Sequence, residues 1–371
     1  MHQYNTAGQQ RGLSGPDETR RAVTEIALAS EMTARRYGRL ACYTIIPGYD
    51  DTKNRTPGLC IPRQDGLTYE LAWRAGIGRD LDWALITSFN EWHEGSEIEP
   101  SVEQGDAYLK ATAEWAAKFK DTKAVAEQLA AGPGWQEIQA RWPKGKTIAV
   151  IGPPKGLGLD LAISGLPVRF CGLAEFGRGA VSASECPIAV YTDGELFQND
   201  CGDGRTVEGA LRDYWKDGGW IVFASWRPWP LYKNLDTDEN NWSRHIGLLL
   251  TNADQGEGRR GFSVPPEESL TIRASEGEWE APYPASGDLR FRPSFAPADG
   301  GDCLYRSFAA VIGASGSNYG DAFSAYRYES GPLAPARMVY AFQGLWTALE
   351  PEKASLLVMR QAMDLAFDKE K

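Results

Sequence analysis

The chain has 371 residues, 42% of them apolar and 24% charged, with 50 acidic against 39 basic side chains and a formal net charge of −11. That length predicts about two domains at roughly 150 residues each, and the composition is that of an ordinary globular protein. The acidic balance, with a pI near 5.0, argues against nucleic acid or an anionic membrane surface as partner and fits a neutral ligand.

The N-terminal residues Met1 to Thr6 lack a basic stretch followed by an apolar one, so no signal peptide is expected. No run approaches the ~18 apolar residues of a membrane-spanning helix, and the chain as it stands reads as cytoplasmic. Val23, Ile26, Ala27, Ala29 and Met32 recur at helical spacing and predict a helix over Glu18 to Tyr37. Leu40 to Ile46 reads as a strand ended by Pro47-Gly48, Thr68 to Gly76 as a short helix, Trp83 to Ser88 as a buried strand, and Glu103 to Lys120 as a long helix. The spacing between the strands suits βα units with long active-site loops.

The strand at Trp83 runs into Phe89-Asn90-Glu91-Trp92-His93-Glu94-Gly95-Ser96-Glu97-Ile98-Glu99-Pro100, dense in carboxylates, aromatics and amides. An apolar strand delivering acids to its carboxyl end is how α/β barrels build active sites. Glu91 and Glu94, three residues apart, can face one cleft. Glycosidic cleavage needs such a pair, one acid protonated to help the leaving group depart and the other ionised as base or nucleophile. Trp92 and His93 supply a low-dielectric wall and a hydrogen bond, and the Asn90 amide suits sugar hydroxyls. The plainer alternative is an acidic, solvated loop; the preceding strand and the density of polar groups weigh against it. His93 between carboxylates raises metal binding, but the string lacks the paired histidines of HExxH, and no metal is expected. Glu97 and Glu99 read as capping or solvating the loop's exit.

Beyond this region, Asp121 to Ala131 reads as helix broken by Gly132-Pro133-Gly134, so residues 123–145 form a helical linker. A second αβ series begins at Lys146 to Ile151 and continues through a strand at Cys186 to Tyr191, a helix at Thr206 to Trp215 and a strand at Trp220 to Ala224. Residues 227–300, rich in Pro, Gly and acids, read as long loops with short strands. Strands return at Ser307 to Ile312 and Arg337 to Phe342, and a helix from Pro351 to Phe367 closes the chain. The expectation is an open, flavodoxin-like parallel sheet over 146–371. Cysteines 42, 60, 171, 186, 201 and 303 include no CxxC pair, so free thiols are expected. Gly145-Lys146-Thr147 and Gly156-Leu157-Gly158 fail as phosphate loops, since Ala140 and Leu161 occupy glycine positions; no cofactor is expected.

The fifteen residues from Ile86 to Pro100 resemble the signature of glycoside hydrolase family 99. Pro47-Gly48-Tyr49-Asp50-Asp51-Thr52, with Arg55 and Pro57-Gly58 following, resembles the family's preceding strand and loop, and His2-Gln3-Tyr4-Asn5 resembles the end of a still earlier strand. The resemblance covers roughly residues 1–120. It implies a (β/α)₈ barrel enzyme that cleaves inside α-mannosyl chains with retention of configuration. It implies that Glu91 deprotonates the sugar 2-hydroxyl, which attacks the anomeric carbon to give a 1,2-anhydro sugar. Glu94 would be the general acid, later the base that activates water. Asn90, Trp92, His93, Tyr4, Arg55, Tyr49 and Asp50 would contact substrate. Only two clear strands fit where a barrel needs eight, so residues 1–122 are expected to form a partial barrel. Its open edge would favour self-association and leave this chain, alone, with little hydrolase activity.

Cys186 to Ala224 resembles class I glutamine amidotransferase-like domains. That chemistry needs a Cys nucleophile at a strand-to-helix elbow and a His base. Ser225-Trp226-Arg227-Pro228 brings no Cys, and His245 is the only candidate His in this half, so a non-catalytic accessory domain is expected. Trp226, Trp229, Tyr232 and Trp242 read as packing under the loops or, alternatively, as a sugar platform. The leading expectation is a glycoside hydrolase-like protein acting on α-mannosyl glycans. The alternative is a non-catalytic carbohydrate-associated binding or scaffold protein.

Overall fold

A computed structural model describes residues 4–13, 15–121, 133–225, 229–250, 253–254, 262–263, 268–283 and 301–367. The helix expected across Asp121 to Ala131, the strand remnant at His2-Gln3 and Trp226 fall wholly or mostly outside these residues. The chain divides into two compact units, Met1–Leu129 and Ala130–Lys371.

In the first unit, α1 (Pro16–Arg36) starts on a proline, whose missing N–H costs nothing at a first turn, and Asp17 and Glu18 sit at its positive end. Strand β1 (Cys42–Ile45) is followed by the short antiparallel pair β2 (Tyr49–Asp50) and β3 (Cys60–Ile61), then α2 (Leu67–Gly76), β4 (Trp83–Ile86) and α3 (Ala107–Phe119). β1 and β4 pair in parallel, Cys42 opposite Trp83 and Ile45 opposite Ile86, with α2 in the crossover between them. Val23, Ile26, Tyr43, Ile45, Trp73 and Tyr108 belong to one buried cluster.

Two expectations shift here. β4 is not a buried strand: every residue of β1 is buried, but Trp83 is 55% exposed and Ala84, Leu85 and Ile86 are half-buried. Among the described residues β4 pairs with β1 alone, so nothing covers its other edge. The long helix begins at Ala107 rather than Glu103, because Ser101 and Gly105 bridge each other and the Ser101 hydroxyl accepts from the Gln104 amide, closing a turn.

The second unit opens with α4 (Pro133–Arg141), which starts at the proline expected to end a helix. Trp135 and Ile138 enter the main core, and Arg141 pairs with Asp364 on the last helix, so this part of the expected linker belongs to the second unit. The main sheet contains β5 (Ile148–Ile151), β6 (Val168–Cys171), β7 (Ile188–Tyr191), β8 (Trp220–Phe223), β9 (Leu270–Ala274), β10 (Glu280–Tyr283), β11 (Cys303–Gly313), β12 (Asn318–Tyr328) and β13 (Arg337–Ala341). Its order is β6-β5-β7-β8-β13-β12-β11-β9-β10. The first five run parallel; from β13 onward each pairing is antiparallel. The sheet is therefore mixed, not wholly parallel as expected. β5, β7 and β8 are buried along their whole length, the continuous apolar pattern of strands covered on both faces.

The antiparallel half was hidden by polar residues inside strands. Asn318, Gly320 and Asp321 look like turn residues, yet they open the eleven-residue strand β12. Asp321 is buried there because the hydroxyls of Tyr305 and Ser307, on β11, both donate to its carboxylate. Trp229 and Trp242 are also buried, and Trp242 packs edge-on against Phe197 at 4.7 Å. Packing, not an exposed platform, is what these two rings do.

Candidate active site

Because β1 and β4 are parallel and in register, the loops leaving Ile45 and Ile86 emerge side by side. The loop after β4 is a closed structure. The Ser88 amide donates to the Ser96 carbonyl at 2.9 Å, and the Ile98 amide returns to the Ser88 carbonyl at 3.1 Å. The Ser88 hydroxyl accepts from the Glu91 amide at 2.9 Å and lies 3.1 Å from the Ser96 hydroxyl. Trp92–Glu94 form a single 3₁₀ turn at the tip, and Gly95 follows with φ of +55°, in the region that favours glycine.

The loop after β1 is fastened to this tip. Asn54 Nδ2 donates to the His93 carbonyl at 2.6 Å. Arg63 Nη2 donates to the Gly95 carbonyl at 3.0 Å, the Glu97 carbonyl at 2.9 Å and Glu97 Oε1 at 2.8 Å, while its guanidinium lies 4.6 Å from the Tyr108 ring centre. Sequence reasoning missed Arg63: it sits in no motif, and its partners lie more than thirty residues away.

The two candidate acids occupy different surroundings. Glu94 is half-buried; its Oε1 accepts from Arg55 Nη2 at 3.1 Å, and its Oε2 is buried without a hydrogen-bond partner. Glu91 is also half-buried, and its amide is fixed by Ser88. Asn90, Trp92 and His93 are exposed around them, and the Trp92 indole N–H donates to Glu99 Oε2 at 2.9 Å, which fixes its ring. Tyr4 is exposed, and its carbonyl accepts from the Thr87 hydroxyl at 2.9 Å, so it lies at the carboxyl end of β4.

Tyr49, Asp50 and Arg55 come from the other loop. Tyr49 is buried; its hydroxyl donates to Asp51 Oδ2 at 2.9 Å and accepts from Arg55 Nη1 at 2.7 Å. Burial first, then the bond to Asp51 and the charge of Glu94, push the Tyr49 hydroxyl up to about 12, with Arg55 opposing. Asp50 is exposed, and its carboxyl is held below the usual range by the hydroxyl, then the amide, of Thr52. Asp51, which the motif reading left without a role, is buried. The Leu59 amide, at 2.7 Å, and then Tyr49 and Arg55 hold its carboxyl below the usual carboxylate range. Bonds to Asp51 and then Glu94 raise Arg55 above its ordinary value. Among the described residues no three His, Cys, Asp or Glu side chains group as metal ligands, and no helix is long and apolar enough to cross a membrane.

An α/β unit that brings two glutamates and exposed aromatic and amide side chains to the carboxyl ends of parallel strands is of glycoside hydrolase type. Residues 26–121 match the sequence model of glycosyl hydrolase family 99, and this N-terminal part of the chain is family 99-like. A glycoprotein endo-alpha-1,2-mannosidase-like protein of Danio rerio is 37% identical over 93 residues, covering 21% of this chain and 21% of that protein. The glycoprotein endo-alpha-1,2-mannosidase of Rattus norvegicus is 34% identical over 104 residues, covering 23% and 22%. The solved GH99 endo-alpha-mannosidase of Bacteroides thetaiotaomicron aligns with 26% identity and a TM-score of 0.26, over 33% of this chain and 38% of that one. The chain spans about a fifth of the length of the curated relatives it matches.

Proposed function

We propose that the first unit carries the carboxylate-bearing, C-terminal part of a glycoside hydrolase barrel acting on α-linked mannose-type glycans with retention of configuration. The observation that carries this reading is the pair Glu91 and Glu94 on one fastened loop at the carboxyl end of β4, within the segment that matches family 99. In the first step Glu91 takes the proton of the sugar 2-hydroxyl, whose oxygen bonds to the anomeric carbon as the glycosidic bond breaks. Glu94 gives its proton to the departing oxygen. In the second step Glu94, now ionised, takes a proton from water as the water oxygen attacks the anomeric carbon. The strained C–O bond opens and Glu91 returns the proton to O2. Two inversions give net retention. Asn90, Trp92, His93, Tyr4 and Asp50 surround the sugar in this reading, with Tyr49 and Arg55 behind them.

The alternative, a non-catalytic carbohydrate-binding or scaffold role, draws on the uncovered edge of β4 and the exposure of Trp83. The second unit is proposed as an accessory, flavodoxin-like domain. Its parallel strands run second-first-third-fourth-fifth in chain order, and Ser225, not a cysteine, follows β8. The two readings separate in one experiment: titration of the chain with α-mannan oligosaccharides alongside an assay of their cleavage. Binding with cleavage that depends on Glu91 and Glu94 supports the first; binding without cleavage supports the second.

A further inference from the structure

We infer that Arg55 serves Glu94 rather than the sugar, as a positioning residue anchored by the buried Asp51; this rests on the reading of Glu94 as the proton donor. The Asn54 and Arg55 amides both donate to the Asp51 carbonyl, at 2.8 and 2.9 Å, so the chain turns back and lays Arg55 over Asp51. Both Asp51 oxygens are engaged: Oδ1 by the Leu59 amide, Oδ2 by the Tyr49 hydroxyl and by Arg55 Nη1 at 2.7 Å. Nη1 also donates to the Tyr49 hydroxyl, which leaves Nη2 to reach Glu94 Oε1 at 3.1 Å. The guanidinium is thus fixed along one side and presents the other to a single carboxylate oxygen. Glu94 Oε2, buried and without a partner, is the oxygen left for a proton or a substrate hydroxyl.

This arrangement does what the proposed chemistry asks of a counter-ion. Glu94 is ionised after protonating the leaving group and stays so until water is activated. A fixed cation on its far oxygen favours that state without occupying the oxygen that handles the proton. Donors preorganised where charge develops are among the larger contributors to catalysis. A side chain that bound sugar instead would leave its free donors toward the substrate; Arg55 directs them to Asp51, Tyr49 and Glu94.

The test uses the full chain with Arg55→Met, Arg55→Lys and Asp51→Asn, each assayed on an unactivated α-mannan oligosaccharide and on an aryl α-mannoside of the same length with an activated leaving group. The expected result is a fall in kcat of about tenfold or more on the unactivated substrate, with KM within about twofold, a smaller fall on the aryl substrate and partial recovery in Arg55→Lys. A rise in KM with kcat held, equal on both substrates, would overturn the inference and make Arg55 a sugar ligand. If the unaltered chain cleaves neither substrate, the catalytic reading fails for this chain and NMR of the Arg55 side chain decides the inference. Separately resolved Nη protons that merge in Asp51→Asn and in Glu94→Ala support the double anchorage; freely rotating Nη groups in the unaltered protein refute it.

Discussion

Gly95 lies directly against Asp50. A Cβ placed on Gly95 would stand 3.1 Å from both the amide nitrogen and the carbonyl oxygen of Asp50, on a backbone with φ of +55°. The loop bearing Glu94 therefore meets the loop bearing Tyr49, Asp51 and Arg55 at the one position where any side chain is unfavourable twice over. Gly95→Ala is expected to destabilise the first unit by about 1–3 kcal/mol and to cut any hydrolase activity by more than that loss of folded protein explains. Urea unfolding followed by tryptophan fluorescence, set beside an activity assay at a temperature where both proteins are folded, measures the two effects separately.

Removing the Arg63 side chain should be more costly. Arg63 and Glu97 are both largely buried, with 19% and 13% of their side chains exposed, and Arg63→Leu would leave the Glu97 carboxylate and two carbonyls without their donor. Truncating one partner of such a pair typically costs about 3 kcal/mol. The expected outcome is a lower unfolding midpoint for the first unit and an unchanged one for the second. A loss confined to the second unit would place Arg63 outside the role assigned to it.

The acid loop was legible because its chemistry is local. A strand, two glutamates and their neighbours stand in one run from Ile86 to Pro100, so Glu91 and Glu94 could be singled out from order alone. Arg63 could not, because nothing in Pro62-Arg63-Gln64 marks a side chain whose partners are Gly95 and Glu97. Asp51 was visible as part of a motif, but its burial depends on Leu59, Tyr49 and Arg55 converging, which is a tertiary fact. The mixed sheet was half legible: apolar runs such as Ile148 to Ile151 declare buried parallel strands. β12 opens with Asn318, Gly320 and Asp321 and becomes a strand only once Tyr305 and Ser307 satisfy the aspartate. The exposure of Trp83 was unpredictable from its strand sequence, because exposure depends on which neighbours are present.

Acid should loosen the first unit through Asp51. Its carboxyl is held below the usual range by the Leu59 amide, then by Tyr49 and Arg55. The stabilisation is therefore present in full above the unfolded value of about 4 and is lost as pH falls through the lowered folded value. Unfolding midpoints in urea at a series of pH values from neutral to strongly acidic should fall across this window, and Asp51→Asn should flatten the slope there while lowering the plateau. An equal slope in the variant would assign the acid sensitivity to other carboxylates.

The uncovered edge of β4 predicts association. Trp83 is 55% exposed on a strand with one paired neighbour among the described residues, and such edges recruit other strands unless charge blocks them. Sedimentation velocity is expected to show concentration-dependent self-association of the chain, reduced by Trp83→Lys. A monodisperse monomer at tens of micromolar, unchanged by the substitution, would mean that the edge is covered.

The most direct test of the assignment is proton NMR of the first sugar released from an α-mannan oligosaccharide, compared between the unaltered chain and the variants Glu91→Gln and Glu94→Gln. The account predicts that the first-formed hemiacetal has the α configuration and that either substitution abolishes its release. Release of the β-anomer first, or turnover of the natural oligosaccharide within a few-fold of the unaltered chain in both variants, would contradict the carboxylate pair as the catalytic centre.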